Sequence, residues 1–180
     1  MTDNAHWYAL KVFYNKVLAL QSRFTGEGWD TYCPLDAEGK PLVASLLFVR
    51  CPEARLTAIH RDALSDEVKF AVYTRKEQRP SPLDGKPQDM DVPAPIREDE
   101  MRAFILVTSA GPDTFEVLGP DDPKYHTGQR VRVTEGPFAG SEGVVKRIKK
   151  DRRLVITVTG IVAVATVHIN PSLLQPITEN

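Results

Sequence analysis

Residues 128–145 read GQRVRVTEGPFAGSEGVV, and the second half, EGPFAGSEGVV at 135–145, decides what kind of fold ends this chain. Three glycines and a proline crowd around one phenylalanine, and valines follow at once. Glycine supplies positive φ without a Cβ penalty and proline fixes φ, so Gly136-Pro137 opens a sharp hairpin turn. Gly140 and Gly143 permit the bend and a close backbone approach leading into Val144. Phe138 is the sole aromatic residue of the loop and is placed to fold back and plug the end of a small barrel. Its burial contributes about 1.5–3 kcal/mol, a large share for a small domain. No Gly-Lys-Ser/Thr follows the glycines, which excludes a phosphate-binding P-loop.

Working outward, Val131/Val133, Val144 and Ile148, Leu154/Ile156/Val158, Val162/Val164 and Val167/Ile169 predict short strands between turn signals. About fifty residues of this kind predict a small β-barrel. The β-branched runs 155–159 and 162–167 favour strands, so no helical alternative is expected there.

Upstream, the patterning changes. His6 to Val12 reads as a strand, and Asn15 is placed to cap a helix with Val17, Leu20 and Phe24 on one face. GEG at 26–28 ends that helix, and Trp29 to Leu35 reads as a second strand. LVASLLFVR at 42–50 is the best central strand; 53–63 predicts a short helix with Leu56, Ile59 and Ala63 on one side; 68–74 predicts another strand. Glu77 to Pro95 holds five prolines and reads as an exposed loop. Ile96 to Val107 fits a helix with Asp99 and Glu100 in its first turn, where acids oppose the dipole favourably. The order is α+β, with helices packed on one sheet.

Net charge is −1, unevenly spread. Residues 1–108 carry 14 Lys+Arg against 16 Asp+Glu, residues 109–124 one against four, and residues 125–180 eight against four. This predicts two bodies, 5–108 and 125–178, joined by a linker at 109–124. Near-neutrality argues against a protein that coats nucleic acid unaided. The start MTDNAHWYAL lacks a signal-peptide pattern and no apolar run spans a bilayer, so a cytosolic, membrane-free, monomeric protein is expected. Cys33 and Cys51 form no CxxC pair and read as structural thiols.

The stretch from Gly128 to Val145 resembles a KOW motif. WYALKV at 7–12, PLVASLLFVR at 41–50 and PAPIREDEMRAF at 93–104 resemble the N-terminal domain of NusG-type elongation factors, and the two signatures stand in that family's order. The segment at 77–95 is most similar to the specialised UpxY type. The resemblance implies an N-terminal antiparallel-sheet domain followed by an SH3-like barrel. It also implies docking on RNA polymerase and recruitment of a second partner, a ribosomal protein or a termination factor, by the KOW domain. Carried over residue by residue, polymerase contacts fall on Tyr8, Lys11, Val43, Leu46 and Phe104. Where the family has an aromatic-Pro-Gly-Tyr segment this chain has Val43-Ala44-Ser45-Leu46, and Val43 and Leu46 read equally as core. Trp7 reads as core. Ile161, after Gly160, falls where the family carries an apolar residue for its second partner, and reads equally as buried at the barrel end.

Lys146, Arg147, Lys149, Lys150, Arg152 and Arg153 surround one acid, Asp151. They read as a phosphate-facing patch or as a solvated hairpin charged against edge pairing. With no aromatic residue interleaved for base stacking, the second reading is preferred. The four histidines show no ligand spacing, so no metal, cofactor or catalysis is expected. The rival readings are a ribosome- or RNA-associated binding module and, more remotely, a hydrolase using His126 or His60.

Overall fold

The computed structural model describes residues 4–62, 68–119, 128–148, 150–167 and 169–178. The chain divides into two compact units, Met1–Cys33 with Val43–Pro95, and Pro34–Leu42 with Ile96–Asn180. The architecture is α+β, with three helices and three sheets among the described residues.

In the first unit, β1 (Ala5–Val12) runs beside β3 (Leu46–Pro52), which also pairs with β2 (Asp30–Tyr32); β4 (Phe70–Val72) lies on the other side of β1. All pairings are antiparallel. Alternation puts Tyr8, Leu10 and Val12 on one face with Leu47, Val49 and Cys51, and this face forms the core with α1 (Val17–Gly26) and α2 (Glu53–Asp62). Val17, Leu20 and Phe24 are the buried stripe of α1, as their spacing requires. Phe24 stacks on Trp29 at 4.8 Å and meets Phe70 edge-on at 6.0 Å, and the Arg55 guanidinium covers the Trp29 ring at 4.3 Å. Leu56 is buried and Ile59 partly so, while Ala63 lies outside the described residues.

Four expectations for this unit need correction. Asn15 does not cap α1: the N-cap position is Lys16, without a side-chain cap bond, and Asn15 sits one residue early at φ +54. Asparagine tolerates that left-handed conformation, which makes it a turn residue here. The strand expected at 42–50 starts four residues later, because 43–46 form a turn closed by Leu46 N–H donating to Val43 O at 3.1 Å. The second strand covers only Asp30–Tyr32 of the expected 29–35. The expected loop at 77–95 is largely a two-stranded hairpin, β5 (Thr74–Pro80) with β6 (Pro87–Pro93). The prolines of its ladder stand at strand ends, where no ladder hydrogen bond is lost, and Val92 is its buried apolar residue. Polar pairs replace the missing core: Lys76 with Asp91 at 3.0 Å, and Arg79 with Glu77 and Glu53 at 3.1 and 3.0 Å.

In the second unit, α3 (Glu98–Ser109) buries Met101, Ala103, Phe104, Val107 and Thr108. A 3-10 turn, Pro112–Thr114, leads into β7 (Phe115–Gly119). Then follow β8 (Gln129–Val133), β9 (Glu142–Ile148), β10 (Asp151–Val158), β11 (Val162–Thr166), a second 3-10 turn at Pro171–Leu173 and β12 (Leu174–Pro176). These form one antiparallel sheet in the order β12-β8-β9-β10-β11-β7, whose ladders do not close on themselves among the described residues. Helix α3 packs on β10 and β9, which is why it groups with this unit instead of with the residues before it.

The stretch at 109–124, expected as a linker, is structured in part. Phe115 is buried and β7 pairs with β11, so the apolar residues Phe115, Val117 and Leu118 outweigh the prolines around them. Val167 and Ile169 do not form the expected strand: their N–H groups donate to Thr114 O at 2.8 Å and Arg152 O at 3.2 Å, and the ladder resumes only at β12.

Candidate functional site

The glycine-rich loop at 135–145 is built as a closed turn. Val133 N–H donates to Ser141 O at 2.9 Å, Gly140 N–H to Val133 O at 2.8 Å and Ala139 N–H to Gly136 O at 3.1 Å. Gly136 and Gly140 hold φ of +84° and +87°, a region that costs any other residue strain. Gly143 has a different role: a Cβ there would stand 2.5 Å from Val155 O, so it marks a close approach of β9 to β10. Phe138 is buried at one end of the sheet, beside an apolar groove of about 350 Å3 lined by Val133, Pro137, Val167, Ile169 and Leu173.

At the turn between β10 and β11, Ile161 is half-buried and its N–H donates to Val158 O at 3.0 Å. The carboxylate of Glu100, from the first turn of α3, accepts from Thr159 N–H at 3.1 Å and from the Thr159 hydroxyl at 2.7 Å. The residue named for partner binding therefore sits two positions from a contact that fixes its turn. Beside it lies a cleft of about 270 Å3 whose walls mix Arg97 and Arg130 with Asp99, Glu100 and Glu142. The hydrogen bond from Arg97 holds the Asp99 carboxyl below its ordinary range. Asp99 is thus engaged in an ion pair and Glu100 in a clasp on the Thr159 turn.

The residues named for polymerase contact do not form one exposed patch. Tyr8 is 1% exposed and Leu46 3%, and Phe104 is fully buried in α3 of the second unit. Lys11 is exposed and Val43 half-buried. Burial pushes the Tyr8 hydroxyl up to about 12, with Glu53 and Cys51 adding to the effect. Sequence reasoning missed two neighbours of Lys11. Phe13 lies with its ring 5.9 Å from Lys11 Nζ, and Tyr14 is 77% exposed at φ +59, an uncommon conformation for a bulky residue. The signal was available in FYN at 13–15, a pair of aromatics at a strand end next to a turn residue. Trp7, expected as core, is only half-buried.

Of the basic residues, Lys146, Arg147, Lys150, Arg152 and Arg153 belong to the β9–β10 hairpin, and Lys149 lies outside the described residues. No cluster of three His, Cys, Asp or Glu able to hold a metal exists among the described residues. His126, His168 and the His60 side chain lie outside them. Cys33 and Cys51 are buried free thiols, and burial pushes both up to about 11. Among the described residues no helix is long and apolar enough to cross a membrane.

No curated protein matches the chain. Residues 127–170 match the KOW motif. The chain thus carries a KOW domain at its C-terminal end, consistent with the C-terminal domain of a NusG-type protein and equally compatible with ribosome- or RNA-associated modules.

Proposed function

We propose that this protein is a NusG-type transcription elongation factor, of the specialised UpxY kind, that acts by binding instead of by catalysis. One observation carries the reading. The two segments that resemble the NusG N-terminal domain, WYALKV and LLFVR, are adjacent strands β1 and β3 of one sheet, and a KOW motif at 127–170 follows them. Under this reading the β8–β12 strands are the SH3-like barrel, with the 3-10 turn at Pro171–Leu173 before its last strand.

The first unit then docks on RNA polymerase. Lys11 and Val43 remain as accessible contacts, and Phe13 and Tyr14 supply the aromatic area that the Val43–Leu46 segment lacks. The KOW domain recruits a second partner, a ribosomal protein or a termination factor, through the turn at Ile161. The effect proposed is reduced pausing and antitermination. A run-through assay with purified polymerase on a template carrying a terminator tests the sign: more full-length transcript is expected, and increased termination contradicts it. The rival reading, an RNA- or ribosome-associated module outside transcription, draws on the basic β9–β10 hairpin. Unaltered pausing and termination together with retained RNA binding favours that rival.

A further inference from the structure

The end of the β9–β10 hairpin runs past its neighbour in the sheet. β8 covers β9 only as far as Val145, opposite Gln129, so 146–148 extend beyond it. In that extension the register sets Lys146 opposite Arg153 and Arg147 opposite Arg152. Like charges directly opposite on paired strands are destabilising, and here two such pairs follow one another. Arg153 is offset by Glu116, whose Oε2 accepts from it at 2.8 Å. Arg147 and Arg152 are exposed and form no ion pair among the described residues. Lys150 adds a third exposed cation at φ +76, where glycine or asparagine would be less strained.

Protection of an open strand edge does not account for this arrangement. It explains charge on the side of β9 that β8 leaves uncovered. The β10 side is already engaged: Ile169 N–H donates to Arg152 O at 3.2 Å, and Leu154 N–H to the Thr166 hydroxyl at 3.1 Å. Arg152 therefore defends no edge, and an acid in its place would attract Arg147 instead of repelling it. What two opposed guanidinium groups suit is a polyanion, because each presents a planar fork of donors matched to phosphate oxygens. The described residues 146–148 and 150–153 include no aromatic, so stacking on unpaired bases is not offered.

We infer that Arg147, Lys150 and Arg152 bind the phosphate backbone of double-stranded nucleic acid without reading its sequence. The inference stands apart from the polymerase reading, since its test contains no polymerase. Fluorescence anisotropy of the full chain against labelled DNA and RNA duplexes of one sequence, over a salt series, measures it. Three neutralised phosphates give a log–log salt slope of about −2.7 on the DNA duplex, falling to about −0.9 in Arg147→Gln/Arg152→Gln. Affinity at low salt is expected to fall at least about tenfold in that variant. Arg147→Glu converts one repulsive pair into an attractive one. It is expected to weaken binding while hydrogen-exchange protection of the hairpin holds or rises, which separates lost binding from lost fold. Unchanged affinity and slope in the double Gln variant overturn the inference. So does tighter binding of single strands, or displacement of the duplex by polyglutamate at equal affinity, which assigns the hairpin to unpaired bases or to an acidic protein.

Discussion

Gly143→Ala tests whether β9 and β10 are held together by a backbone approach that only glycine permits. The added Cβ meets Val155 O at 2.5 Å, Ile156 Cδ1 at 2.8 Å and Leu154 Cδ1 at 3.1 Å. The two side-chain carbons can move aside, but the carbonyl oxygen cannot without shifting the strand. Overpacking of this kind costs about 1–3 kcal/mol, and a rigid neighbour puts the cost near the upper end. Against it stands a gain of about 0.5–1 kcal/mol from reduced freedom of the unfolded chain. The net expectation is a loss of about 2 kcal/mol, which lowers hydrogen-exchange protection of β9 and β10 amides about 30-fold. Gly140→Ala is the internal comparison. Its Cβ meets nothing within 4 Å, so it carries only the strain of φ +87, about 1–2 kcal/mol before the same entropic gain. Gly26→Ala, in open space at the end of α1, should be neutral or stabilising. If Gly143→Ala keeps protection within about threefold of wild type, or proves milder than Gly140→Ala, the close-approach argument is refuted.

Other expectations follow from the same contacts. The thiols of Cys33 and Cys51 rise from 9.0 to about 11 on burial, so the neutral form is favoured in the folded chain and the linked stability is fully present below pH 9.0. It is lost as pH rises from 9.0 towards about 11, and the denaturation midpoint of wild type should fall there relative to Cys33→Ala/Cys51→Ala; parallel midpoints contradict this. Glu100→Ala removes the acceptor of two hydrogen bonds from Thr159, an exposed contact worth about 1 kcal/mol. Faster exchange confined to α3 and the Thr159–Ile161 turn is expected, and unchanged exchange refutes the clasp. Phe138→Ala should cost about 3–5 kcal/mol and lower the thermal midpoint of the KOW domain; a smaller shift than Gly140→Ala would deny it the role of plug.

The elements most legible in the sequence were those in which one face is buried. Val17, Leu20 and Phe24 announced α1 by spacing alone, β8 was announced by the alternation of Val131 and Val133, and β10 and β11 by runs of β-branched residues. The β5–β6 hairpin was not legible, because its strands are held by charged pairs and its tip residue Leu83 is 96% exposed, so no apolar period marks it. The contribution of β7 was only half visible, since Phe115, Val117 and Leu118 stood among prolines and acids. The candidate site divides in the same way. Glycine chemistry at 136 and 140 could be read directly, because each holds a positive φ in a local turn, whereas the need for glycine at 143 comes from the approach of β10. Exposure could not: Tyr8 and Leu46 read as core or contact residues alike and prove to be core, while Phe13 and Tyr14, which no pattern singled out, are exposed. Nor could the repulsive pairing of Arg147 with Arg152, which depends on a two-strand register that no single stretch encodes.

The functional reading stands or falls on whether the first unit docks on RNA polymerase. Leu46→Asp is unsuitable for testing it, since a carboxylate at a 3% exposed position would disrupt the sheet itself. Lys11→Glu/Val43→Asp changes accessible positions, and circular dichroism confirms that the variant keeps its fold. The decisive experiment is a pull-down of purified bacterial RNA polymerase with the full chain against this double variant. Wild type is expected to retain polymerase and the folded variant to lose it. Failure of folded wild type to retain polymerase contradicts the docking, and equal retention by both contradicts its placement at Lys11 and Val43.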